Sequence, residues 1–202
     1  MKKIILILVF TCSINPVFAD SPLTSTDFYK AYLDVPLVGK VSKSNGILND
    51  EVFDYLNSKS ISIDKKIAVI NALKWNMKVK NNASLYLKKI LFFHKDYSTA
   101  NFYNKASAEE LICYAYLKAM DNYFDVKKAS LFSFQATKRN PNSYTIAIVN
   151  QLIKAQLITH KNWCEVHTGM NNIRENKKLK IDFRKGASDI IFNYTDIYKV
   201  NC

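Results

Sequence analysis

The chain has 202 residues, 49% apolar and 13% aromatic, with four Gly, four Pro and a formal charge of +12. That composition excludes a disordered chain and allows a sizeable core. Scarce Gly and Pro count against an all-β fold, which needs turn residues at every hairpin. In a cytosolic protein +12 would point to nucleic acid, but the N-terminus points elsewhere.

Met1-Lys2-Lys3 is a short positive start, Ile4 to Phe10 an unbroken apolar run, and Val17-Phe18-Ala19 a signal-peptidase site. We therefore expect residues 1–19 to be a cleaved signal peptide and residues 20–202 a single all-helical domain. The apolar run is shorter than the roughly 20 residues that a spanning helix needs. Val9-Phe10-Thr11 before Cys12 lacks the small residue that lipid attachment favours. The lysine start and the Asn/Lys/Ile-rich chain suggest a bacterium with an AT-rich genome, hence a periplasmic or cell-surface protein. Loss of Lys2 and Lys3 with the leader lowers the net charge from +12 to +10. Export makes nucleic acid a poor partner and favours a protein or peptide of the envelope, or anionic glycan or lipid headgroups.

Along the mature chain, Thr24-Ser25-Thr26 reads as the cap of a helix through Leu33, interrupted by Pro36 and Gly39. Asn49-Asp50 opens a second helix. After a linker at Ser60-Ile61-Ser62, apolar spacing predicts a helix from Asp64 to about Met77 with two apolar stripes. Asn81-Asn82 caps the next, through Phe93. Ser107 and Glu110 form a capping-box signature for a helix through Met120. A further helix covers about 125–138, Asn140-Pro141-Asn142 is a break, and Ser143 leads a strongly periodic helix through Leu157. Trp163 to Arg174 is a weaker helix, 175–184 is lysine-rich, and Gly186 precedes a last helix running to Cys202. Leu179 to Phe183 alternates but is short. The expected fold is all-α: an irregular antiparallel array or bundle of about eight or nine helices.

Ala129, Ala136 and Pro141, with Asn140-Pro141-Asn142-Ser143 as an ending, give the segment from Leu111 to Ser143 a partial pattern. It resembles one tetratricopeptide repeat. The pattern departs at Leu117 and Met120, and a 34-residue shift does not recover it. The resemblance implies right-handed helix-pair stacking of tetratricopeptide or HEAT type, and peptide binding in a concave groove.

Three cysteines remain after cleavage. Cys202 ends the chain, where tethering the tail is its natural use, and Cys113 lies on an apolar helix face. We expect a Cys164–Cys202 disulfide and a buried free thiol at Cys113. His160, Cys164 and His167 have metal-ligand spacing on a continuous helix. Asn162 reads as the cap that leaves His160 outside, so no metal is expected. Glu109 and Glu110 fit the dipole and cap of a helix first turn, and no catalytic motif or cofactor fingerprint is present. A binding surface is expected at Lys177, Lys178, Lys180, Arg184 and Lys185. The leading expectation is an envelope protein-interaction or accessory module rather than an enzyme. A glycan or peptidoglycan hydrolase and an immunity-type protein are the alternatives.

Overall fold

The computed structural model describes residues 21–75, 80–158 and 162–202. The expected signal peptide, with Cys12, lies outside them, as does His160. The fold is an all-α array. Its helices are α1 (Pro22–Ser25), α2 (Pro36–Val41), α3 (Asp50–Asn57), α4 (Ile63–Ala72), α5 (Asn82–Phe93), α6 (Phe102–Lys105), α7 (Ala108–Asp121), α8 (Lys127–Arg139), α9 (Tyr144–Ile158), α10 (Trp163–Glu175) and α11 (Lys185–Asp196). Two 3₁₀ turns, Phe28–Tyr32 and Ile197–Asn201, complete it.

Helix α7 is the axis of the array. The Ser107 hydroxyl accepts from the Glu110 amide, and the Glu110 carboxylate accepts from the Ser107 amide, so both ends of the capping box close. Leu111 to Leu117 are all buried. A helix apolar on every side must be enclosed, and α7 packs against α4, α5, α8 and α9. Its closest neighbour is α8, whose Ala129, Ser133 and Ala136 are fully buried. That buried face of α8 also meets α9, where the Ser133 hydroxyl donates to Asn150 Oδ1 at 2.8 Å.

The N-terminal elements differ from expectation. Ser21, not the Thr24–Thr26 run, caps α1, and the expected helix through Leu33 is a 3₁₀ turn. Pro36 starts a helix instead of interrupting one, because at N1 its missing N–H costs nothing. Asn71, 3% exposed, holds this irregular segment. Its Oδ1 accepts from the Tyr29 amide at 2.9 Å. Its Nδ2 donates to the Thr26 carbonyl at 3.1 Å and to the Tyr116 hydroxyl at 2.9 Å. One amide thus joins the N-terminal strap to α4 and α7.

Helix α4 stops at Ala72, short of the expected Met77, and residues 76 and 77 of that expectation lie outside the described residues. Lys74 takes a left-handed conformation, φ 56°. Lys80 Nζ donates to the Leu73 and Lys74 carbonyls at 2.9 Å, satisfying groups the helix end leaves open. Gly46, φ 73°, packs against the same Leu73 carbonyl, and a Cβ there would sit 2.3 Å from that oxygen.

The lysine-rich stretch after α10 is pinned rather than loose. Among the described residues no strand forms, but Ser143 and Lys180 make an isolated parallel bridge. Asp182 caps α9 from outside. Its carboxylate accepts from the Ser143 hydroxyl at 2.6 Å and the Thr145 amide at 2.7 Å. Phe183 is consequently buried against Phe28 and Tyr32.

Asn71→Ala leaves the Tyr29 amide and the Tyr116 hydroxyl without their buried partner, while the Thr26 carbonyl keeps the Phe28 amide. We expect a loss of about 2 kcal/mol at roughly 1 kcal/mol or more per orphaned group, read by urea unfolding. Asn45→Ala, at an exposed local turn, should change stability by less than about 0.5 kcal/mol.

Candidate functional site

An open groove of about 580 Å³ lies beside the start of α2. Its apolar lining comes from Val35, Pro36 and Leu37 at the start of α2, Tyr55 on α3 and Ile61 in the α3–α4 connection. Val35 is extended, as a residue before proline prefers, and this turns the chain along the groove. Charged groups stand around it: Asp34, Glu51, Lys65 and Arg184.

Arg184 is built in from several directions. It lies just before α11, and its amide donates to the Tyr32 hydroxyl at 3.1 Å. Its guanidinium donates to the Ala31 carbonyl at 3.0 Å and grips Asp34 bidentately at 2.5 and 3.0 Å. It also lies 4.4 Å over the Tyr32 ring. Hydrogen bonding from Arg184 lowers the Asp34 carboxyl below its ordinary pKa. Burial raises Tyr55, and the nearby Asp64 charge adds to the rise. Glu51 is held by Lys40 at 2.5 Å. The groove therefore pairs an apolar lining with fixed charges of both signs.

The five expected surface cations divide. Arg184 is at the groove, paired with Asp34, and Lys185 pairs with Asp189 at 2.7 Å. Lys177, Lys178 and Lys180 are exposed on the pinned segment. The five do not form one uncompensated patch, because acidic side chains neutralise two of them. The neutralising partners, Asp34 and Asp189, carry no local sequence signal that marks them as such. The groove itself was missed for the same reason: its walls come from residues 34–65 and 184, joined only by the fold.

Cys164 and Cys202 form a disulfide with Cα atoms 4.9 Å apart. It ties the C-terminal 3₁₀ turn to the start of α10, where Trp163 stacks on Tyr198 at 4.2 Å. Cys113 is free and buried, and burial pushes its thiol up to about 12. His167 Nδ1 is 3.5 Å from Asp196, which also takes Arg174 Nη2 at 2.7 Å. Among the described residues no His/Cys/Asp/Glu group is arranged to hold a metal ion.

Glu109 and Glu110 border a cavity of about 80 Å³, with Lys66 and His94. Lys66, 3% exposed, pairs with Glu109 at 2.6 Å. Glu110 accepts from the Ser107 amide at 2.6 Å and the Tyr97 hydroxyl at 3.3 Å, with His94 Nε2 at 3.2 Å. Both carboxylates thus work in links between elements, and the cavity has room for a few waters at about 30 Å³ each.

No family model, curated protein or solved structure matches the chain.

Two outcomes follow from this geometry. Residues 20–202, denatured without reductant, should show one free thiol, and a count of three would contradict the bridge. Cys202→Ser should cost up to about 4 kcal/mol, the chain-entropy value for a loop of 38 residues. Separately, Asp34's lowered pKa means that its pair with Arg184 stabilises the fold above the ordinary carboxylate range. That stabilisation is lost as pH falls through the depressed folded value. Arg184→Gln should return the Asp34 titration, followed by NMR, toward its ordinary midpoint.

Proposed function

We propose that this is an exported, all-helical binding module of the bacterial envelope. Its groove between α2, α3, the start of α4 and Arg184 takes a segment of a partner protein. The observation that carries the reading is the groove's composition: an apolar lining flanked by charges of both signs. A peptide offers apolar side chains together with amides and charges, and it suits such a lining better than a purely apolar ligand does. Tyr55 is the natural anchor, since tyrosine contributes contact area at low entropic cost.

Export is supported by the leader-like residues 1–19 and by the Cys164–Cys202 bridge, which persists in oxidising compartments. The tetratricopeptide resemblance is consistent with a binding role. Ala129 and Ala136 are fully buried on the inner face of α8, as small residues in such repeats are. A protein that restrains a secreted effector is one version of this function.

The experiment places a photo-crosslinker at Ile61 and, as a control, at Val200, which is 89% exposed and outside the groove lining. In intact cells Ile61 should yield a discrete protein adduct that Val200 does not. Tyr55→Ala should weaken binding of that partner by about tenfold or more. No adduct at Ile61, or the same products from both positions, would reject the groove.

A further inference from the structure

Helix α8 has two opposed faces. The buried face, Ala129, Ser133 and Ala136, packs into the array. On the other side, Lys127, Leu131, Phe134 and Lys138 follow one another at i, i+4, i+7 and i+11, a single stripe along the helix. Leu131 is 59% exposed and Phe134 52%. Phe124, in the turn before the helix, is 69% exposed and rests on Tyr123, which packs edge-on against Trp75. Lys127, Lys128 and Lys138 are exposed around these apolar groups, with Lys138 Nζ 4.6 Å from the Phe134 ring. Between residues 124 and 139 the sole acidic residue is Asp125.

We propose that this face of α8 docks on an anionic lipid bilayer. Phe124, Leu131 and Phe134 enter the boundary between headgroups and acyl chains, and the lysines meet lipid phosphates. Exposed Phe and Leu among lysines is the pattern of helices that lie in a membrane interface. Lysine stems can lie along the apolar boundary while their ammonium groups stay in water. Protein interfaces, by contrast, are depleted in lysine. A twofold contact with a second copy would set this basic face against itself. The proposal concerns a surface other than the groove and stands or falls independently of it.

The test is cosedimentation of the protein with phosphatidylcholine vesicles, with and without phosphatidylglycerol. Wild type, Lys127→Gln/Lys128→Gln and Leu131→Ser/Phe134→Ser are compared in the same chain, so any contribution from Ile4–Phe10 cancels. Binding should require phosphatidylglycerol and weaken with salt. The lysine variant should lose about 25-fold, at about 1 kcal/mol per lysine. The apolar variant should lose about tenfold or more. Both alter exposed positions, and thermal melts matching wild type verify that they fold. Equal binding to neutral vesicles, no binding, or no effect of either variant overturns the proposal. So does a wild-type dimer in solution that Leu131→Ser/Phe134→Ser dissolves.

Discussion

Buried amides and carboxylates that satisfy backbone far away in sequence hold this array together. Short helices create the need. Each helix end leaves up to four N–H or C=O groups without an internal partner, and this chain has many ends enclosed by neighbours. Asn71 closes groups on residues 26 and 29 and reaches Tyr116. Asn82 accepts from the Leu48 amide and donates to the Gly46 carbonyl. Asp121 accepts from the Ala83 amide at the start of α5, although burial raises its pKa. Asp182 does the same for α9. Apolar burial makes the array compact, and these four side chains select one arrangement of the connections.

The same device explains what was legible in the sequence. Helices α7 and α9 could be read directly, because a capping box and three-to-four apolar spacing act within one turn. The break at Asn140-Pro141-Asn142 was equally local. The end of α4 was not. Its apolar pattern continues to Met77, while the Leu73–Lys74 turn depends on Lys80 and on Gly46 approaching from a distant loop. Gly169 is another case. A Cβ there would come 2.0 Å from Nε2 of the Gln151 side chain on α9, a contact that no local pattern in α10 marks. The Cys164–Cys202 bridge was accessible from cysteine positions, since the three cysteines expected after cleavage leave few arrangements. The groove was not accessible, because its walls meet only after folding.

The charges divide in a way that composition conceals. Net charge suggests one diffuse basic surface, but pairing decides which cations are available. Arg184, Lys185, Lys40 and Lys66 each have a carboxylate within 3 Å. Such pairs fix geometry more than they attract ligands, and the exposed ones contribute little stability. Around the α8 stripe, by contrast, Lys127, Lys128 and Lys138 stand beside exposed apolar side chains with Asp125 the one acid in their segment. Two surfaces of different character result. One is a groove where Asp34, Arg184 and Glu51 are already held in ion pairs, so that shape and placement contribute most to selectivity. The other is an exposed face of α8 whose lysines form no ion pair among the described residues. On the two proposals, a segment in the groove would be chosen by fit and a lipid surface at α8 by charge density. The proposed contacts use different residues, so neither would have to weaken the other.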